Sequence, residues 1–215
     1  MSTLEADSIT LSFGNRRILS NVYLRCARGD IVGIIGRNGS GKSSLMKIIF
    51  GTLRGEHQSI RIDRHYFDKL FRQPGIINYL PQDSFFMNHL TINQISRIFN
   101  AEKIVNLDLL TKHKNARIGE LSGGLKKLVE ILTMLYTPSK FVLLDEPFSF
   151  LSPVLVEEVS THIARQSKFK GIVLTDHQYQ SVWTVANRYY VLYDGILREI
   201  HQQNELERYG YLHHS

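Results

Sequence analysis

The sequence predicts an α/β fold with a mixed, largely parallel sheet, and three observations predict it. Two short continuous apolar runs, Ile31-Val32-Gly33-Ile34-Ile35 and Phe141-Val142-Leu143-Leu144, have the length and composition of strands buried on both faces. Segments with apolar residues at helical spacing alternate with strand-like runs along most of the chain. A glycine-rich stretch, Gly36 to Gly41, joins the first of these strands directly to a helical segment.

The elements follow in order. Residues 8–13, Ser-Ile-Thr-Leu-Ser-Phe, alternate as a half-buried strand. Gly14-Asn15 is a turn pair, and residues 18–24 form the second of two N-terminal antiparallel strands. The buried strand at 30–35 leads through the glycine stretch into a helix over 43–50, with Leu45, Ile48 and Ile49 on one face and Gly51 at its end. Strands are expected at 59–62 and 76–80, the latter stopped by Pro81. Residues 83–121 lose the strand pattern and read as a helical insertion, with helices around 91–99 and again after Ala101. Ser122 opens a stronger helix carrying Leu125, Leu128, Val129, Leu132 and Leu135. The strand at 141–144 precedes a helix over 154–166, with Pro153 in its first turn. A strand at 172–175, a helix over 178–186 and a hairpin of 189–193 with 196–200 around Asp194-Gly195 complete the chain.

A chain of 215 residues, 43% of them hydrophobic, buries a real core and fits one domain over 1–215, with 83–121 and the start of the helix at 122 as a small subdomain. The formal net charge is +6, but the basic clusters are only the pairs Arg16-Arg17 and Lys126-Lys127, so a nucleic-acid partner is not expected. The single cysteine, Cys26, allows no intramolecular disulfide and suits a reducing compartment as a small buried apolar residue. Residues 1–7 carry acids and no apolar core of a signal peptide, and no apolar run is long enough to span a bilayer. Direct membrane insertion is therefore not expected, and membrane association would come through a partner. The pair His213-His214 receives no chemical role.

Three motifs carry chemistry. Gly36-Arg37-Asn38-Gly39-Ser40-Gly41-Lys42-Ser43 matches the phosphate-binding loop in full, which makes the fold a P-loop NTPase. Its glycines let successive backbone N–H groups converge on an anion, and the following helix turns its positive end to the same phosphates. Lys42 reaches the β- and γ-phosphates of ATP, and the Ser43 hydroxyl holds Mg²⁺. Asp145, at the end of the strand Phe141-Val142-Leu143-Leu144, supplies a second metal contact, and Glu146 beside it orients the attacking water. Ser122-Gly123-Gly124 forms a second anion-binding helix end. One nucleotide needs one cradle, so this end either faces the nucleotide of another subunit or is a simple helix cap.

The set, with Leu121-Ser122-Gly123-Gly124 as its narrowing feature, resembles the ATP-binding cassette ATPases across nearly the whole chain. The resemblance implies an ATPase that works as a dimer, either of this chain or with a related cassette, where Ser122, Gly123 and Gly124 close over the partner's ATP. It implies that Gln82 links Mg²⁺ and water to the helical subdomain, that His177 contacts the γ-phosphate, and that Phe13 stacks on adenine; Phe13 also reads as the apolar end of a strand. Ser44 completes the loop. The resemblance further implies a membrane-spanning transporter subunit as partner and a cytoplasmic position at the inner face of the cell membrane. Phe85-Phe86-Met87 fits either the groove that receives a helix of that subunit or ordinary core packing. Leu125 and Ser152 stand where the family usually has glutamine and aspartate. Val129-Glu130-Ile131, Asp145-Glu146-Pro147-Phe148 and Thr175-Asp176-His177 are similar to cassettes of lipopolysaccharide export and branched-chain amino-acid import. Non-transport cassettes and a slow nucleotide-gated binding module are the alternatives.

Overall fold

The computed structural model describes residues 2–211; Met1 and the pair His213-His214 lie outside the described residues. Two sheets carry the fold. The first is antiparallel, in the order β2 (Arg16–Ala27), β1 (Thr3–Phe13), β4 (His57–Ile62), β5 (His65–Tyr66). The second runs β10 (Ile196–Ile200), β9 (Arg188–Tyr193), β3 (Ile31–Ile35), β8 (Gly171–Asp176), β7 (Phe141–Asp145), β6 (Ile77–Leu80). Its strands from β9 to β6 are parallel, and only the edge strand β10 is antiparallel.

The first strand begins five residues earlier than its alternation suggested, and the reason is local. Leu4 and Ala6 are buried, then Ile9 and Leu11, so the inward phase slips between Ala6 and Ile9. Ser8 takes φ +56° there, and Asn21 on the partner strand takes φ +51° beside Thr10. This bulge re-aims the strand, and a strict period of two cannot be read through it. The short β5 carried no sequence signal at all: both its residues are exposed.

Helix α1 (Lys42–Phe50) lies between the two sheets, and Leu45, Met46, Ile48 and Ile49 are fully buried there. Burying such side chains is worth about 1.5–3 kcal/mol each. Gly51, at φ +92°, ends the helix by donating to the Ile48 and Lys47 carbonyls. The other face of the parallel sheet is covered by α4 (Gly123–Tyr136), α5 (Pro153–Ser167) and α6 (Tyr179–Val185). The insertion between β6 and α4 holds α2 (Ile92–Ile98), opened by a capping box of Thr91 and Gln94, and the short α3 (Asp108–Thr111) among 3-10 turns. Cys26 is fully buried, and burial pushes its thiol far above the ordinary range, so it stays protonated.

Among the glycines of the described residues, Gly33 has the least room for a side chain, where α6 packs on β3. A Cβ on Gly33 would overlap Val182 Cγ1 and approach Ala186 Cβ at 3.0 Å. Gly33→Ala is expected to destabilise the fold by about 1–3 kcal/mol through overpacking. Urea unfolding measures this, and an unchanged midpoint would show that α6 does not seat there.

Candidate functional site

Parallel pairing lines up the C-terminal ends of four neighbouring strands. Ile35 pairs with Asp176, Thr175 with Asp145, and Leu144 with Leu80. The segments that leave these ends therefore emerge side by side: the glycine loop after β3, His177 after β8, Glu146 after β7 and Gln82 after β6. A crevice at the carboxyl ends of parallel strands is where an α/β sheet binds ligands.

The loop after β3 keeps φ +78° at Gly39 and +105° at Gly41. A Cβ on Gly41 would meet Ile18 Cγ2 at 2.9 Å, so glycine is required twice over at that position. The Lys42 ammonium is buried and donates to Gly36 O at 2.6 Å and to Arg37 O at 3.2 Å. Glu146 Oε1 lies 3.9 Å from it. Burial lowers the Lys42 pKa, against the opposing pull of Glu146, Asp145 and Asp176.

Glu146 is the meeting point of the site. Its backbone sits at φ +48°, pinned by its N–H donating to Thr175 O at 2.9 Å. Gln82 Nε2 donates to its Oε2 at 3.2 Å and Ser149 Oγ at 3.3 Å, and His177 Nδ1 stands 3.6 Å from the same oxygen. Asp145 is fully buried, accepting from Thr175 Oγ1 at 2.7 Å and from the Tyr79 hydroxyl at 3.2 Å. Burial raises the pKa of Asp176, whose carboxylate accepts the backbone N–H groups of Gln178 and Phe148.

Phe13, Asn38, Gly39, Gly41, Lys42, Ser43, Ser44, Gln82 and Glu146 line one cleft of about 450 Å³. Phe13 is 57% exposed at its mouth, so its ring is not core. Gly36 and Ser40 belong to the same loop, and Asp145 and His177 adjoin Glu146. Ser122, Gly123 and Gly124 are not among these lining residues. Ser122 and Gly123 are exposed at the start of α4, with Ser122 Oγ accepting the Leu125 N–H at 3.4 Å.

The donors suit a phosphate and a hard cation. Ser40 Oγ is buried without a hydrogen-bond partner, as an atom awaiting an anionic ligand would be, while His177 Nδ1 stands between the Asp176 and Glu146 carboxylates at 3.4 and 3.6 Å. Among the described residues no cluster of three or more His, Cys, Asp or Glu could cage a metal. One carboxylate with a hydroxyl and an amide is instead the donor set of Mg²⁺, which shares its shell with phosphates and water.

The family model described as ABC transporter matches residues 19–149. The chain belongs to the ABC transporter family. The lipopolysaccharide export system ATP-binding protein of Escherichia coli K12 is 30% identical over 215 residues, covering 92% of this chain and 89% of that protein. The protein of the same name in Haemophilus influenzae is 29% identical, covering 89% of this chain and 87% of its own length. A solved nucleotide-free ATP-binding cassette from an ABC transporter is 25% identical and superposes with a TM-score of 0.83, covering 97% of this chain and 94% of that one. An ATP-binding cassette of an ABC transporter in its ADP conformation, also 25% identical, superposes with a TM-score of 0.80. The cassette described here is thus an ATP-hydrolysing nucleotide-binding subunit of the ABC type, and cassettes of this type pair with one another and with a transmembrane partner.

Sequence reasoning missed Tyr79 and Thr175 as supports of Asp145. Neither offered a sequence signal: Thr175 meets Asp145 only through the register of β8 on β7, and Tyr79, an aromatic in a strand, reads as core. Thr175→Val keeps the shape but removes a donor to a buried carboxylate. It is expected to cost about 1.5–3 kcal/mol in guanidinium unfolding, and a loss under about 0.5 kcal/mol would mean that Asp145 finds its partner elsewhere.

Proposed function

We propose that two copies of this cassette, or this cassette and a related one, enclose ATP between the glycine loop of one and the Ser122-Gly123-Gly124 helix end of the other, and that their closing and opening drives a membrane-spanning subunit. The observation that carries this reading is the convergence of Lys42, Gln82 and His177 on the carboxylate of Glu146.

In this reading the loop N–H groups between Gly36 and Ser44 and the Lys42 ammonium hold the β- and γ-phosphates, and Phe13 offers its exposed ring to the adenine. Ser43, Gln82 and Asp145 would hold Mg²⁺, which neutralises phosphate charge when bound. Glu146 orients a water for in-line attack and accepts its proton as the bond to the γ-phosphorus forms and the β–γ bridge oxygen leaves with ADP. Lys42 and His177 stabilise the charge carried by the transferred group. A carboxylate already bonded to Gln82 and Ser149 is oriented before substrate arrives, and that preorganisation is where positional catalysis originates.

A groove of about 570 Å³ supports the docking of the membrane subunit. Phe50, Phe71, Tyr79, Phe85, Ile98, Phe99 and Met134 are among the residues that line it. The segment Phe85-Phe86-Met87 divides between the two roles open to it: Phe86 packs in the core, while Phe85 and Met87 are exposed. Among the described residues no helix is long and apolar enough to cross a membrane, so in this reading the cassette sits peripherally at the cytoplasmic face, held by its partner.

Glu146→Gln keeps the size and the Gln82 contact but removes the base. Its steady-state ATPase rate is expected to fall about 10²- to 10⁴-fold while ATP binding persists. With ATP and Mg²⁺ it is expected to accumulate as a dimer in sedimentation velocity. A variant that hydrolyses at the parental rate, or stays monomeric at saturating ATP, would remove the proposal.

A further inference from the structure

Asp145, the carboxylate assigned to Mg²⁺ in the reading above, is held from both neighbouring strands. From β8, Thr175 Oγ1 donates to its Oδ1 at 2.7 Å; from β6, the Tyr79 hydroxyl donates to its Oδ2 at 3.2 Å. Thr175 stands directly opposite Asp145, so a short side chain reaches it. Tyr79 does not, because its register partner on β7 is Leu143. Residues two apart on a strand share a face, so Tyr79 meets Asp145 diagonally, and only a long side chain spans that step. Phenylalanine would fill the same space with the same ring; the hydroxyl is the one atom that tyrosine adds, and it ends on a fully buried carboxylate. Each carboxylate oxygen then accepts one protein donor and keeps acceptor capacity for a cation or its water. Outer hydrogen bonds of this kind fix the orientation of a metal ligand.

The ring that carries this hydroxyl belongs to another region. It packs on Phe50 with centroids 5.2 Å apart, and Phe50 packs on Phe71 at 6.2 Å. All three rings line the apolar groove of about 570 Å³. The backbone beneath them is anchored: β6 pairs with β7 from Ile77 to Leu80, and Asn78 Nδ2 donates to Met134 O and Thr137 O at the end of α4, each at 3.2 Å. With the strand fixed, the aim of the hydroxyl depends on how the ring is packed, since a tyrosine side chain has only two torsions.

We infer that Tyr79 is a positioning residue for the metal site, and that the aromatic wall of the groove sets the Mg²⁺ affinity of Asp145 through it. The inference rests on the assignment of Asp145 to Mg²⁺ and adds two residues to it, Tyr79 beside the carboxylate and Phe50 behind the ring. The hydroxyl holds Oδ2, Thr175 holds Oδ1, and the carboxylate is presented to the cation in one orientation before the cation arrives. Phe50 acts only by holding the ring, so its effect on the metal must pass through the hydroxyl.

The test uses the full chain carrying Glu146→Gln, so that bound ATP persists, alone and with Tyr79→Phe, Phe50→Leu or both. Isothermal titration calorimetry reads ATP affinity in EDTA and in excess Mg²⁺, and the ratio of the two is the gain that the metal supplies. Tyr79→Phe is expected to bind ATP in EDTA as its parent does and to lose on the order of tenfold of the Mg²⁺ gain. Phe50→Leu is expected to lose a smaller part of it, and the double variant to lose no more than Tyr79→Phe alone. In the chain with Glu146 intact, Tyr79→Phe is expected to raise the Mg²⁺ concentration for half-maximal ATPase. A Tyr79→Phe chain with the full Mg²⁺ gain overturns the positioning role. So does an affinity that falls equally in EDTA and in Mg²⁺, since the loss would then lie in the fold. A double variant whose loss is the product of the two single losses overturns the route from the groove. A parent in which Mg²⁺ adds nothing to ATP affinity overturns the assignment of the metal, and the inference falls with it.

Discussion

The site is organised around a buried positive charge. The Lys42 ammonium sits out of solvent, and burial disfavours it. An ion in that position is tolerated only with close polar partners, here the Gly36 and Arg37 carbonyls and the Glu146 carboxylate. Each partner must then be fixed by something stiffer than a loop. The parallel sheet supplies that stiffness: Asp145 and Thr175 face each other in register, and Ile35, the last residue before the loop, faces Asp176. Shifting one strand by a residue would turn each of its side chains to the other face and leave Lys42 beside apolar atoms. Sheet register and the charge balance of the site are thus one constraint.

This explains which parts were legible in the sequence. The glycine loop, the Asp145-Glu146 pair and the strand before each are written in local patterns, because a buried parallel strand is a continuous apolar run and the loop needs glycine at fixed positions. The supports of Asp145 were not legible, because they arise from register between strands far apart in sequence; no spacing announces that the Tyr79 hydroxyl ends on a carboxylate 66 residues away. The start of β1 was hidden for a local reason, since the bulge at Ser8 breaks the period of two. Phe13 could be read either as the end of an apolar strand or as an exposed ring, and only its place at the rim of the cleft separates the two.

Tyr79 also joins two regions that sequence treats separately. Its ring packs on Phe50 with centroids 5.2 Å apart and lines the apolar groove, while its hydroxyl bonds Asp145. On the opposite side of the Gln82 segment, Lys127 Nζ donates to Gln82 O at 3.4 Å and the Ser84 hydroxyl bonds Glu130, both partners lying on α4. The groove and α4 therefore each carry side chains directly bonded to Asp145 or to the segment that carries Gln82. Coupling between distant surfaces needs such contiguous packed contacts together with an element that has two arrangements. The Gln82 segment is the candidate for that element, since its glutamine is exposed while its neighbours on both sides are tethered.

Two left-handed residues, Glu146 and Phe150, stand four positions apart in one turn, and their circumstances differ. Glu146 is buried, and its strain is met within the subunit by the N–H bond to Thr175 and by the groups gathered on its carboxylate. Phe150 has no such return from its own subunit, for its ring is almost wholly in solvent.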